Sequence, residues 1–257
     1  MHISLDSALG RQRRLNSVGE SITQIAPDPA AAYSLRSLTG GDPKVVRVRR
    51  GSDNHEQDFT ASEVSSGALV AYVGSGNDGF VETWYDQSGN SNNAVQATAA
   101  NQPKIVDAGA FLGKLLFDGS NDSFALNNSL IMPQPVTMFA QYAATGTAAL
   151  VGNSGTFGRS SNTYLMVFNS AISAGTHGSD DQIASVIFNA SNSEGYFNNV
   201  KQLDGDAGLG SLQISQLGLF TSLYFVGHMR EFFIYDSDQS SNRTAIETNM
   251  NSHYSIF

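Results

Sequence analysis

The sequence of 257 residues contains no cysteine. This absence excludes a disulfide scaffold, a zinc site with cysteine ligands and a cysteine nucleophile. Charged residues make up only 14 % of the chain, compared with roughly 25 % in an average globular protein. The sequence also lacks an apolar run of about 18 residues, so it offers no candidate for a membrane-spanning helix. The net charge of -9 argues against general nucleic-acid binding, which requires a basic surface.

Aromatic residues are plentiful, with 15 Phe and 9 Tyr, which indicates a folded core. Positive charge is concentrated in the first part of the chain. Residues 1–50 hold 8 Lys or Arg and 4 Asp or Glu, whereas residues 51–257 hold 6 and 19. This asymmetry suggests that the two parts meet different partners, although basic runs that simply face water would give the same pattern.

Residues 1–29 are predicted to form an N-terminal docking arm that ends at Pro27 and Pro29. The segment lacks the apolar run of roughly 7–15 residues that an export signal contains. Its apolar residues have a loose helical spacing, and an isolated helix of this kind is marginally stable. The arm should therefore pack on another protein or, alternatively, fold back on its own domain as a strap. The predicted docking residues are Leu5, Leu9, Arg11, Arg13, Arg14, Leu15, Val18 and Ile22.

Residues 30–257 are predicted to form an all-β domain, a two-sheet antiparallel jelly-roll sandwich. About ten short runs rich in β-branched and aromatic residues alternate with Gly, Asn and Ser turns. Residues 240–252 predict a short C-terminal helix, and residues 30–38 fit either a helix or a strand. Helical turns are predicted within residues 60–73, because Thr60 and Glu63 have the spacing of a capping box.

Three motifs in this region carry a family resemblance. Residues 84–90 (WYDQSGN), 116–122 (LFDGSND) and 227–236 (GHMREFFIYD) resemble signatures of concanavalin A-like, laminin-G-like jelly rolls. The first motif is also similar to the catalytic domain of α-L-arabinofuranosidase B enzymes. The resemblance implies a fold that hosts lectins, enzymes, adhesins and structural modules. The cysteines of that enzyme family are missing, and we find no counterpart of its catalytic carboxylates.

Residues 30–59, which lead into WYDQSGN, resemble bacteriophage virion proteins of the tail-fibre, appendage and head-decoration types. The resemblance implies a non-enzymatic virion protein, assembled in the host cytoplasm and released by lysis, whose jelly roll contacts a host-surface glycan. The implied partners are other virion proteins and further copies of the chain, with a trimer as the expected state, and neither nucleic acid nor membrane. The alternative is a secreted carbohydrate-active module, either lectin-like or an arabinofuranosidase-like glycosidase.

Candidate site residues follow from these two interpretations, and no catalytic residue is assigned. Trp84 fits a core position better than a sugar-stacking one, because large aromatic residues dominate β cores. The candidates for sugar contact are Tyr142, Tyr164, Tyr196 and Tyr224. No cofactor is expected except Ca²⁺, which prefers oxygen ligands; the alternative role of the acidic residues is to cap turns. The candidate ligands are Asp118, Asp122, Asp204 and Asp206.

Overall fold

The structure, a computed structural model, describes residues 19–145, 148–154, 156–160, 163–167, 171–176 and 180–257. None of the helices in these ranges has the length and apolar character that a membrane span requires. The helices of the described residues are short: α1 (Ile22–Ile25), α2 (Ala61–Ser65), α3 (Ala68–Val73) and α4 (Arg243–Tyr254).

Strands dominate the fold, which confirms the predicted all-β class. The first half of the described chain contains β1 (Ala31–Ser34), β2 (Lys44–Arg50), β3 (Glu56–Thr60), β4 (Gly79–Trp84), β5 (Ala94–Val95), β6 (Lys104–Asp107), β7 (Ala110–Asp118), β8 (Phe124–Pro133) and β9 (Val136–Ala144). The second half contains β10 (Ala148–Ser154), β11 (Thr156–Ser160), β12 (Thr163–Val167), β13 (Ala171–Thr176), β14 (Gln182–Phe188), β15 (Ser193–Phe197), β16 (Val200–Gly205), β17 (Ser211–Leu217), β18 (Leu219–Phe220), β19 (Leu223–Tyr224) and β20 (Val226–Tyr235).

Eighteen of the described strands pair into one large antiparallel sheet that curls on itself, and β18 and β19 form a separate hairpin. One arm of the sheet runs β16-β15-β14-β9-β20, and β20 pairs along its other edge with β1 and β7. The chain of pairs then continues through β6 to β4, which also pairs with β2 and β5. The second arm follows from β5 through β8, β17, β10, β11 and β12 to β13. The main hydrophobic core collects buried residues from both arms.

The predicted helical turns at residues 60–73 are confirmed, with two helices instead of one. The side chain of Thr60 accepts a hydrogen bond from the Glu63 N–H, and the Glu63 carboxylate accepts one from the Thr60 N–H at 2.8 Å. These reciprocal bonds form the capping box of α2. Gly67, with φ of +85°, adopts the left-handed conformation between α2 and α3.

The WYDQSGN motif fastens β1 to the sheet through the Asp86 loop (residues 86–92). Asp86 Oδ1 accepts hydrogen bonds from the N–H groups of Ala32 and Ser88, both at 2.9 Å. Its Oδ2 accepts bonds from the Ser88 hydroxyl at 2.6 Å and from the Asn92 N–H at 2.9 Å. One carboxylate therefore satisfies groups on β1 and on both ends of its own loop.

Gln87 extends the same contact beyond the end of β1. Its side-chain oxygen accepts the Leu38 N–H at 2.8 Å, and its side-chain nitrogen donates to the carbonyls of Ser34 at 3.1 Å and Arg36 at 3.0 Å. The backbone N–H of Gln87 donates to the Ala32 carbonyl at 2.8 Å. Because β1 pairs with β20 on its other side, the Asp86 loop supplies the partners that a neighbouring strand would otherwise provide.

A second apolar cluster lies on the opposite side of β9, β14 and β20 from the main core. Ile246 and Met250 of α4 pack there against Phe139, Phe233 and Tyr235. Their spacing of four residues places both side chains on one side of α4. This confirms the predicted C-terminal helix and shows that it covers part of the outer face of the sheet.

The predicted docking role of Ile22 is wrong. Ile22 is fully buried in the second apolar cluster, where Ala26 also lies, so it contacts its own domain. The Asn249 side chain donates to the Glu20 carbonyl at 2.6 Å and holds the same segment. The physical reason is that the apolar side of α4 needs a cover, which residues 20–26 supply. The remaining predicted docking residues, Leu5, Leu9, Arg11, Arg13, Arg14, Leu15 and Val18, lie outside the described residues.

Replacing Ile22 with Ala should lower the free energy of unfolding by about 2–4 kcal/mol, because it leaves a cavity under α4. Urea unfolding followed by circular dichroism measures the loss. The control Ile131→Ala removes the same atoms from a side chain that is 66 % exposed, and should stay within about 0.5 kcal/mol of the parent. Equal losses in the two variants would show that Ile22 does not support α4.

Replacing Asp86 with Ala should lower the free energy of unfolding by about 2–4 kcal/mol, because the N–H groups of Ala32 and Asn92 lose their acceptor. The matched control is Asp107→Ala, which removes a carboxylate that is 56 % exposed and pairs with Lys104, and should cost less than about 1 kcal/mol. Guanidinium unfolding of the full chain compares the two. An Asp86→Ala variant as stable as the control would refute the role of the loop.

Candidate functional site

The structure does not bring Tyr142, Tyr196 and Tyr224 together, and these are the candidate tyrosines whose side chains it describes. Tyr142 is fully buried in the main core, so its predicted contact with sugar is wrong. All residues of β9 are buried, and a strand without polar alternation gives no signal of which side faces outward. The side chain of Tyr164 lies outside the part of the chain that the structure describes.

Tyr196 and Tyr224 are partly buried and lie on different strands, β15 and β19. The ring of Tyr196 is covered by the Arg243 guanidinium at 3.7 Å from the ring centroid, and its hydroxyl donates to Glu194 at 2.6 Å. This arrangement occupies the ring face that a sugar would need. Trp84 is fully buried, and its ring centroid lies 5.5 Å from that of Tyr33 and 6.4 Å from that of Phe124. This confirms the core interpretation.

The candidate Ca²⁺ ligands form two separate pairs. Asp204 pairs with Lys201 at 2.8 Å, and Asp206 accepts the Gly208 N–H at 2.8 Å. Asp118 Oδ1 accepts the N–H of Ser120 at 2.8 Å, so it caps its turn two residues on. Within the described ranges, no group of three or more acidic or histidine side chains is arranged to hold a metal ion. The geometry favours the turn interpretation of these residues.

The pair Asp118 and Asp122 nevertheless lines a cavity of about 590 Å³. The cavity lies on the outer side of the sheet where β2, β4, β6 and β7 run side by side. Besides the two aspartates, its lining includes Arg49, Phe80, Gln102, Lys104, Leu116 and Phe117. Acidic, basic and apolar groups therefore face the same space.

Strand register places four of these side chains in one row. Arg49 pairs with Phe80, Phe80 with Lys104, and Lys104 with Leu116 across four neighbouring strands. Paired residues in antiparallel strands point to the same side of a sheet. The Arg49 guanidinium lies 4.6 Å from the centroid of the Phe80 ring, and Lys104 Nζ lies 5.8 Å from it. Sequence reasoning missed this row, although the basic residues of β2 and the aromatic start of β4 were visible.

Asp122 has an unusual environment for a carboxyl group, since it is only 6 % exposed. Burial raises its pKa to about 6; a hydrogen bond from the Asp118 N–H opposes this rise, and the negative charge of Asp118 adds to it. The N–H of Asp118 donates to Asp122 Oδ2 at 2.9 Å. A carboxyl that keeps its proton in mildly acidic solution can act as a general acid.

No protein-family model and no curated protein matches the sequence. Among solved structures, the chain is similar to an arabinofuranosidase complexed with arabinofuranosyl-α-1,2-xylobiose, with 14 % identity, a TM-score of 0.58, and coverage of 86 % of this chain and 62 % of that chain. An α-L-arabinofuranosidase of glycoside hydrolase family 54 soaked with a cyclic sulfate inhibitor gives the same four values. A sialidase of Trypanosoma rangeli in complex with sialic acid matches with a TM-score of 0.45 and 11 % identity, over 95 % of this chain and 40 % of that chain.

These comparisons correct two expectations from the sequence. The two arabinofuranosidase structures are glycoside hydrolases, and this likeness contradicts the interpretation as a non-enzymatic virion protein. Nothing in the comparisons supports the bacteriophage resemblance. The arabinofuranosidase resemblance is supported at the level of the fold. The chain spans 62 % of the length of these enzymes. Because the sequence identity is only 14 %, the likeness is limited to the fold.

The carboxyl of Asp122 should titrate near pH 6 in a carbon-13 NMR titration of the full chain. Replacing Asp118 with Asn should lower this pKa, because a negative charge beside the buried carboxyl disappears. Asp53, whose pKa a hydrogen bond from Arg50 lowers to about 2, provides an internal reference. Since the folded pKa of Asp122 lies above its unfolded value, its contribution to stability should fall as pH rises from about 4 to above 6. A titration of Asp122 near pH 4 would contradict this description.

Proposed function

We propose that the chain is a carbohydrate-active domain that binds a glycoside in the Asp118–Asp122 cavity and hydrolyses its glycosidic bond. The observation that carries the proposal is the buried Asp122 carboxyl with its raised pKa, beside a second carboxyl in a cavity of about 590 Å³. Most glycosidases use such a pair, one carboxyl as an acid and the other as nucleophile or base. The shared fold with arabinofuranosidases supports the same class of reaction.

Asp122 is the proposed general acid. Its Oδ2 accepts the N–H of Asp118, so the proton resides on Oδ1. In this role Asp122 protonates the oxygen of the departing group, which otherwise leaves as an unstable anion. Activity should therefore require the protonated form and decline above about pH 6.

Asp118 is the proposed second carboxyl. Its Oδ1 accepts hydrogen bonds from the N–H groups of Ser120 at 2.8 Å and Asn121 at 3.3 Å. These bonds fix the orientation of the carboxylate before a substrate binds. In the proposed reaction Asp118 either attacks the sugar carbon or removes a proton from the attacking water.

The row across the sheet supplies the proposed contacts to the sugar. Phe80 and Leu116 offer apolar surface to the ring face, whereas Arg49 and Lys104 offer donors to hydroxyl groups. Three hydrogen bonds hold the Arg49 guanidinium in place. Its Nε donates to the Gln102 side chain at 2.7 Å, and its other two nitrogens donate to the Asn54 side chain and to the Ala99 carbonyl. A side chain held in this way loses little conformational freedom when a ligand binds.

We also propose that the curled sheet is a two-layer jelly roll of the concanavalin A-like type. Strands β16-β15-β14-β9-β20 would form one layer, and β2, β4, β8, β17 and β10 the other. The main core supports this, because it contains Ala140 and Phe232 from the first group together with Val48, Leu126 and Leu217 from the second. The outer side of the first layer then carries α4, whereas the row formed by Arg49, Phe80, Lys104 and Leu116 lies on β2, β4, β6 and β7.

The full chain should release 4-nitrophenol from at least one glycoside in a panel that includes 4-nitrophenyl α-L-arabinofuranoside. Replacing Asp122 with Asn should lower kcat by about 100-fold or more, because the leaving oxygen is no longer protonated. The matched control Asp204→Asn changes an exposed aspartate on β16 and should leave kcat unchanged. Circular dichroism verifies that each variant is folded.

Three outcomes would contradict the proposed hydrolysis. The first is an unmodified chain that binds glycans but releases no product, which would indicate a lectin-like module. The second is an Asp122→Asn variant with unchanged kcat. The third is a rate that continues to rise above pH 7, since Asp122 would then be ionised.

A further inference from the structure

A second cavity, of about 500 Å³, lies farther along the same face of the sheet. Asp181 is its central residue. Its Oδ1 contacts His228 Nε2 at 2.5 Å and accepts the Gln141 side-chain N–H at 3.1 Å, and its Oδ2 pairs with Arg230 at 3.1 Å. Asp180 and Tyr254 also line this space.

Strand register joins the two cavities. Leu116, which ends the row of the first cavity, pairs with His228 on β20, and His228 pairs with Ala143 on β9. Lys104 and His228, which pair with Leu116 from its two sides, therefore point to the same side of the sheet as Leu116. With neighbouring strands about 4.8 Å apart, His228 lies about 10 Å from Lys104 across the sheet. A short oligosaccharide covers this distance.

A β-bulge on β20 produces the second cavity. The register shifts between Met229 and Glu231, so Arg230 and Glu231 together face one residue of β9. Because of this extra residue, both side chains reach partners on the outer face of the sheet. Arg230 pairs with Asp181, and Glu231 pairs with Arg36. Bulges commonly redirect side chains near binding sites.

The hydrogen-bonding groups of this cavity need a ligand that both donates and accepts. Asp181 is oriented by Gln141, which is fully buried beneath it and donates its side-chain N–H to Asp181 Oδ1 at 3.1 Å. Arg230 uses one nitrogen for Asp181 and keeps further donors.

His228 adds an acceptor. Burial lowers its pKa, an effect that the charges of Lys114 and Arg230 increase and that Asp181 opposes. The neutral ring donates from Nε2 to Asp181, which leaves Nδ1 to accept a hydrogen bond.

The charge around the cavity selects against ionic ligands. An anion would meet Asp180 and Asp181, whereas a cation would meet Arg230 and Lys114. A hydroxyl group can donate to His228 and accept from Arg230 at the same time. Vicinal hydroxyls of an uncharged sugar match this set of donors and acceptors.

We propose that the Asp181–His228–Arg230 cavity is a second subsite, which binds another neutral sugar unit of the oligosaccharide held at the Asp118–Asp122 cavity. This inference rests on the proposed function for the identity of the first site. It assigns Arg230 and His228 to substrate binding and gives no catalytic role to either. The chain would then prefer an oligosaccharide to a single sugar.

Binding experiments in the Asp122→Asn protein test the subsite independently of hydrolysis. The probes are neutral xylo- and arabino-oligosaccharides of one to four units, with glucuronate and glucosamine as charged probes. Calorimetry should show affinity rising with length by about tenfold or more, and amide NMR should show shift changes at Ala143, Asp181 and Arg230. The variants Arg230→Gln and His228→Phe should each lower the affinity for the longer probes only, by at least about fivefold.

The matched control is Arg47→Gln, which changes an exposed arginine on β2 that pairs with Asp58 and lines neither cavity, and this variant should bind like the parent. The subsite is refuted if neither variant weakens the longer probes, if NMR changes are confined to residues around Asp118, or if the charged probes bind equally well. A chain that binds these sugars with the expected length dependence but hydrolyses none would overturn the proposed reaction and leave the subsite standing.

Discussion

The hydrogen bonds of the Asp86 carboxylate are the constraint on which the arrangement of the outer face depends. A strand as short as β1 has few bonds to β20 with which to hold its place, and its other edge would present unpaired backbone groups. Asp86 and Gln87 close that edge with side chains. The chain that leaves β1 then carries Arg36 to the fully buried Glu231 carboxylate, which also accepts the hydroxyl of Tyr254 at 3.0 Å. The end of α4 is thus fixed through the Asp86 loop, and a conspicuous sequence motif serves packing instead of recognition.

The outer face of the sheet has two regions with different uses. Under α4, Ser185 donates to Glu247 Oε1 at 2.6 Å and Arg243 pairs with the same oxygen at 2.9 Å, while Glu247 Oε2 has no partner within the described residues. Beyond the end of α4, Asp181, His228 and Arg230 line an open cavity. The proposed subsite lies in this second region, where a ligand would pair with the donors that Arg230 does not use for Asp181.

Local sequence signals predicted local structure well. The capping box at Thr60, the strand that contains Val46 and Val48, and the core position of Trp84 all depend on neighbours within a few residues or on size and hydrophobicity. The cavity was predictable only in part, because its acidic pair comes from one turn whereas its other members come from strands whose register is set by long-range pairing. Tyr142 was assigned to the wrong side because a strand buried on both sides has no polar alternation.

The position of β20 has a consequence for how the chain folds. This strand, near the end of the sequence, lies between β9 on one side and β1 and β7 on the other. Contacts that join residues about 200 positions apart close slowly, because a long loop must be ordered before the contact forms. During synthesis, the edges of three apolar strands stay open until residue 235 has left the ribosome. We therefore expect these strand edges to be most open to aggregation between translation of β9 and translation of β20, and a chaperone that covers strand edges would act in that interval.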